Sequence, residues 1–212
     1  MEFEELLELI GDEPLFESSL LLAGDVNPQG VRLQLTRWKN AGRILQLRRG
    51  LYALAPPYQK VRPHPFLVAN RLRRASYVSC QSALAFYGLI PEYAAQVVSV
   101  TGGRPGVWET PLGVYRYRHL KPGLLRGYAM IDLGGGQQAL VARPEKALLD
   151  LIYLQPEGDD PAYLQELRLQ NLERLDLEAL ARQADAFATP KIRRAAAHIQ
   201  TLAAAEEEYE TL

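Results

Sequence analysis

The stretch "NPQGVRLQLTRWKNAGRILQLRRGLYAL", residues 27–54, changes periodicity half-way along. Over residues 28–41 the apolar positions Val31, Leu35 and Trp38 recur at i, i+4 and i+7, the spacing of one helix face. Asn27 can cap that helix, Pro28 suits its first position, and Gly42 falls just past its end. From Ile44 onward the pattern is that of strands: residues 44–47 and 51–54 flank "RRG" and predict a tight hairpin with Gly50 at positive φ. At about 100° per residue, Gln29, Arg32, Thr36 and Asn40 lie opposite the core stripe, with Arg37 flanking them. Leu33 falls on that polar side too.

Working outward, Phe3, Leu6, Leu7 and Ile10 mark one face of an N-terminal helix that Gly11 and Pro14 end. A second short helix is predicted from residue 16 or 18 to 23, with Ser18 or Ser19 as cap and Gly24 leading out. Helix, short helix, turn, helix and hairpin is the order of a winged helix-turn-helix, with Arg48 and Arg49 at the tip of the wing. "APPYQKVRPHP" follows, and its four prolines resist both helix and central strand. We expect an α+β chain: a winged helix-turn-helix domain (1–55), an ordered proline-rich linker (56–65), and a mixed α/β domain with a helical C-terminal region (66–212). Helices are predicted at 66–74, over "SCQSALAFYGL" with Ser79 as cap and Gly88 as stop, over "PEKALLDLIYL", and from starts near Pro161, Asp176 and Pro190. Strands are predicted over "QVVSVT", "LGVYRYRHL", "RGYAMIDL" and "QQALVA".

Charge is distributed unevenly. Residues 18–74 hold eleven basic side chains against the single acid Asp25, a local charge of +10 that leaves −11 for the rest of a chain with net charge −1. The first seventeen residues and the tail "AEEEYE" carry much of that acid. So basic a block in an otherwise acidic chain is the footprint of a polyanion-binding module or of a solvated basic surface. The composition, 48% hydrophobic and 23% charged with mean hydropathy −0.16, is that of a globular protein. No apolar run approaches the ~18 residues of a membrane span. An N-terminus without a basic region and a single cysteine, Cys80, lead us to expect a cytoplasmic protein with no membrane partner.

Few constellations point to catalysis. His64, His119 and His198 are scattered and no metal-ligand spacing occurs, so neither a metal nor a cofactor is expected. "LGGGQQ" lacks the phosphate-loop spacing and reads as a hairpin turn. Cys80 reads as a small core residue. Glu145, Lys146 and Asp150 share one helix; they form part of an active site, or else a cap-region acid beside a surface pair worth a few tenths of a kcal/mol. "VYRYRHL" sets Tyr115 and Tyr117 on one strand face and arginines on the other, which makes either a stacking platform for unpaired bases or a core face.

The basic module combines charge, helix order, turn chemistry and wing. In such folds the second motif helix enters the major groove of double-stranded DNA. Gln29, Arg32 and Thr36 are therefore assigned to base edges, with Arg37 and Asn40 beside them, and Lys39, Arg43, Arg48 and Arg49 to phosphate or the minor groove. A winged helix used only for protein contacts is the bland alternative.

"LTRWKNAGRILQLRRGLYAL", "YVSCQSALAFYGLIPE", "VVSVTGGRP", "GVYRYRHL" and "ARPEKALLDLI", taken in order, resemble the AbiEi-like antitoxins of type IV abortive-infection toxin–antitoxin systems. The resemblance runs from about residue 16 to 154. It implies a non-enzymatic repressor whose winged helix binds inverted repeats upstream of its own operon. It also implies that the C-terminal domain counteracts a nucleotidyltransferase toxin without forming a stable complex with it. Arg32, Thr36, Arg37, Arg48 and Arg49 inherit a DNA-contact role from that resemblance, and two copies are expected on an inverted repeat. An RNA-binding or protein-interaction adaptor using the α/β domain is the rival expectation.

Overall fold

The protein is described by a computed structural model over residues 1–23, 26–91 and 95–210, with side chains through residue 205. Gly24, Asp25 and the side chains of the acidic tail lie outside the described residues. The architecture is mixed α+β, and no described helix is long and apolar enough to cross a membrane.

The N-terminal part runs α1 (Phe3–Ile10), β1 (Phe16–Glu17), a 3-10 turn (Leu20–Leu22), α2 (Pro28–Asn40), β2 (Ile44–Arg48) and β3 (Leu51–Leu54). Asn27 caps α2 by accepting the Gln29 amide at 3.0 Å, and Gly42 leaves it at φ +69°. Leu35 and Trp38 are buried and Val31 half-buried, as the spacing requires. The predicted second helix is instead a two-residue strand and a 3-10 turn. Phe16 pairs with Tyr52 across the sheet and stacks on its ring at 5.6 Å, which holds the backbone extended and leaves too few residues to nucleate an α-helix. Gly50 turns the hairpin at φ +82°, and its carbonyl accepts the Ser18 amide at 2.9 Å. A Cβ on Gly50 would meet the Ser18 hydroxyl at 3.3 Å.

The remainder adds α3 (Pro65–Leu72), β4 (Ser76–Val78), α4 (Cys80–Phe86), β5 (Val97–Thr101), β6 (Gly106–Thr110), β7 (Gly113–His119), β8 (Tyr128–Asp132) and β9 (Gln138–Ala142). Helices α5 (Pro144–Leu154), α6 (Pro161–Glu166), α7 (Leu177–Phe187) and α8 (Pro190–Glu210) follow. Strands β4 to β9 form one sheet in the order β6-β7-β5-β4-β9-β8, parallel at β5/β7 and β4/β9 and antiparallel elsewhere. One face meets α3, where Tyr117 donates its hydroxyl to the Ala69 carbonyl at 2.7 Å. The other face meets α5, where Arg118 donates to the Leu154 carbonyl at 2.8 Å. Helices α4, α7 and α8 pack against α5.

Two hydrophobic cores result, and β3 belongs to both. Tyr52 and Leu54 join Phe3, Leu6, Leu35 and Trp38 in the small N-terminal core, while Leu51 and Ala53 join the large core around the six-stranded sheet. β2 divides the same way, with Ile44 in the small core and Leu47 in the large one. A bulge between Gln46 and Arg48 adjusts the register. The proline-rich segment is also ordered: Gln137 accepts the His64 amide at 2.7 Å and donates to the Arg62 carbonyl at 3.1 Å.

Strand β3 contributes to both cores, so the two are expected to unfold together, and each core has its own tryptophan, Trp38 or Trp108. Single-tryptophan variants should therefore report one common thermal midpoint. Leu51→Ala should lower both readings together, by about 2–5 kcal/mol for a fully buried leucine. Separate midpoints would show two independent units.

Candidate nucleic-acid interface

The structure sorts the basic block into two groups. Gln29, Arg32, Thr36, Arg37, Lys39 and Asn40 are all exposed along α2. Thr36 donates its hydroxyl to the Arg32 carbonyl at 2.9 Å, and Arg37 approaches the Gln34 amide oxygen at 3.5 Å. Lys39 reaches Gln46 on β2 at 3.4 Å, and Arg43 lies over the Phe3 ring at 4.9 Å, half-buried. Arg49 is exposed at the hairpin turn. Among the described residues no side-chain hydrogen bond or ion pair holds Arg32 or Arg49. Leu33 sits on this face 53% exposed.

The second group faces the seam between the two cores. Arg48, expected beside Arg49 at the wing tip, turns back instead. It donates to the Arg49 carbonyl at 3.1 Å and the Arg71 carbonyl at 3.3 Å, and lies 4.0 Å from Glu17. Arg48 is the last residue of β2 and stays against the end of α3, whereas Arg49 lies in the turn and leaves the strand. Arg74 holds Glu17 through both carboxylate oxygens at 2.7 and 2.8 Å. Arg73 lies over Trp108 and Tyr117, and Lys60 pairs with Asp12 at 3.2 Å. The acidic N-terminus thus meets part of the basic block at the seam, and α2 with Arg49 keeps its charge open to solvent.

The hydrogen bond from Arg74 holds the Glu17 carboxyl below its ordinary value of 4.5, with Arg71 and Arg48 adding to the effect and desolvation opposing it. A depressed carboxylate pKa stabilises the fold above the unfolded value and loses that contribution as pH falls through the folded one.

The aromatic and acidic candidates are placed differently. Tyr115 and Tyr117 are 1% exposed, so they form a core face and present no stacking platform. Glu145, Lys146 and Asp150 are also buried, which corrects the expectation of a surface pair. Asp150 accepts from Lys146, from the Ser79 hydroxyl at 2.8 Å and from the Tyr77 hydroxyl at 3.0 Å. Ser79 does occupy the cap position of α4, but its hydroxyl serves Asp150 and does not cap. Burial raises the Asp150 carboxyl and lowers the Lys146 ammonium, and their mutual pairing opposes both shifts. Glu145 accepts the Asp176 amide at 2.9 Å and ties α5 to the C-terminal helices. The cavity beside Lys146 measures about 10 Å³, room for no more than a water molecule. Among the described residues no three His, Cys, Asp or Glu side chains gather as metal ligands.

No family model matches the chain, and a search of curated proteins finds no match. Among solved structures the chain is similar to the RV2827C protein from Mycobacterium tuberculosis, with 15% sequence identity and a TM-score of 0.56. The alignment covers 94% of this chain and 76% of that one. The likeness concerns the fold.

Two measurements test these assignments. Glu17→Gln should cost no more than about 1 kcal/mol near neutral pH, because Arg74 is largely exposed. In denaturation curves the difference from the parent should shrink as pH falls below 4.5 and vanish only once pH has passed below the depressed folded value; a pH-independent difference would remove Glu17 from the acid limb. Lys146→Met and Asp150→Leu should each cost about 3–5 kcal/mol, and the double variant less than their sum, because one change alone strands a buried charge. Additive losses would mean that the two groups are not coupled.

Proposed function

We propose that this chain is a sequence-specific DNA-binding repressor of the antitoxin type, with a winged helix-turn-helix at its N-terminus. The observation that carries the reading is the open basic face of α2 together with the unpaired Arg49 at the adjacent hairpin turn. On this proposal the 3-10 turn Leu20–Leu22 takes the place of the motif's second helix, between α1 with β1 and α2 with the hairpin. In that reading α2 enters the major groove, Gln29, Arg32 and Thr36 meet base edges, and Arg37 and Asn40 flank them. Lys39, Arg43 and Arg49 meet phosphates or the minor groove. Arg48 holds the wing to the α/β part and so fixes the angle at which Arg49 is offered.

The ordered resemblance to the AbiEi-like antitoxins supports the biological half of the proposal. On it, the protein represses its own operon at inverted repeats, and the α/β part counteracts a nucleotidyltransferase toxin without a stable complex. The protein would act as a regulator in the cytoplasm and not as an enzyme. Burial of Tyr115 and Tyr117 removes the feature that favoured an RNA-binding reading.

Fluorescence anisotropy should detect salt-dependent binding to a duplex from the chain's own upstream region, tighter than to a scrambled duplex. Arg32→Ala should erase about 1–3 kcal/mol of that preference. Arg49→Ala should weaken binding to both duplexes and flatten the plot of log K against log salt by ~0.9 per lost phosphate contact. It should leave stability within about 0.5 kcal/mol, whereas Arg48→Ala should cost about 1–2 kcal/mol of stability through its lost carbonyl bonds. Equal, weak binding to both duplexes by the parent protein would overturn the reading.

A further inference from the structure

The six-stranded sheet has two edges, and the structure treats them differently. Strand β6 lies beside β2 of the N-terminal hairpin, so its edge is neighboured by the chain itself. Strand β8 closes the other end of the sheet and, among the described residues, pairs only with β9. Its register there is regular, Tyr128↔Ala142, Met130↔Leu140 and Asp132↔Gln138, without a bulge. The sequence of β8, "YAMID", has no lysine and no proline, the residues that commonly blunt an open edge.

The flanking hydrogen bonds show which backbone groups β8 leaves open. Leu133 donates its amide to the Gln137 carbonyl at 2.9 Å, and Arg143 donates to the Gly127 carbonyl at 2.9 Å. Odd-numbered residues therefore face β9. The amides and carbonyls of Tyr128, Met130 and Asp132 face outward, because hydrogen-bonding direction alternates along a strand. Among the described residues no hydrogen bond reaches those six groups. The same three residues put their side chains on one sheet face, where Met130 is 57% and Tyr128 39% exposed. Tyr128 is held in place by stacking on Tyr77, with ring centroids 4.6 Å apart.

We propose that β8 pairs antiparallel with β8 of a second copy of this chain, joining two six-stranded sheets across a two-fold axis. The occupant follows from self-complementarity. Outward groups must meet outward groups, and Gly127 at φ +81° ends the strand before Arg126. The register that pairs the most residues therefore sets Met130 against its own mate and Tyr128 against Asp132 of the other copy. The apolar side chains meet at the axis. The two Asp132 carboxylates, the only charges in the strand, stand opposite tyrosines and about 13 Å from each other at ~3.3 Å per residue. That separation exceeds the screening length of physiological salt. A slip by two residues would lose a pair of strand residues. The pairing does not rest on DNA binding, and it would stand if the repressor reading failed.

Sedimentation velocity on the full chain, from about 1 to 200 µM without DNA, tests the proposal. The parent should move from monomer to dimer as concentration rises. Met130→Pro removes one outward amide while sparing the β8–β9 ladder. It should raise the dimer dissociation constant at least tenfold with circular dichroism and thermal midpoint retained. Should that variant fail to fold, Met130→Lys, which places two like charges at the axis, should produce the same shift. Val107→Lys on the opposite edge should leave the dimer intact. A parent that stays monomeric at 200 µM would overturn the pairing and leave β8 to a strand from another protein. A dimer insensitive to the change at Met130 would overturn it equally.

Discussion

A four-residue strand with no solvent face governs the arrangement of this molecule. Because "LYAL" is apolar at every position, β3 cannot end a free-standing wing with one side in water. Its alternating side chains must be covered twice, once by α1 and α2 and once by the six-stranded sheet. The cost of exposing either side fixes the hairpin against the α/β part. That docking orients everything the N-terminal part presents to solvent.

The charge distribution follows from this constraint. Docking brings the hairpin turn and the end of α3 together, and three arginines of that neighbourhood converge on one carboxylate, Glu17. Without that acid the seam would gather like charge in a half-buried place, where repulsion is poorly screened. With it, the seam holds while Arg32, Arg37, Lys39 and Arg49 stay exposed. The chain's net charge of −1 is the sum of the basic block's local excess and of the acids in the rest of the sequence.

Much of this was legible in the sequence, and the failures have identifiable causes. Helix α2, the hairpin and the glycine turn were written in spacing and composition over 28 consecutive residues, so local physics decided them. The segment around Phe16 was misread as helix because its strand partner, Tyr52, lies far along the chain. Strand β4 was missed since three residues buried on both faces show no alternation, and β6 was hidden behind the glycine-rich turn before it. Arg48 and Arg49 looked equivalent because the sequence does not say that both faces of the hairpin are covered. A usable signal was present for Lys146 and Asp150. The helix "PEKALLDLIYL" is apolar all round, and such a helix lies inside the protein with its polar residues.

Cys80 stands at the tight passage from β4 into α4, with φ +52° and 2% of its surface exposed. Burial, with Asp150 nearby, pushes its thiol up to about 12, so the thiolate that reacts with alkylating reagents is scarce as well as shielded. It is the chain's one cysteine. Its alkylation therefore reads out the opening of the sheet–helix core directly. Under native conditions the labelling rate becomes a clock for the excursions in which α4 and α5 part, and a ligand that steadies that core will slow the clock without touching the sulfur.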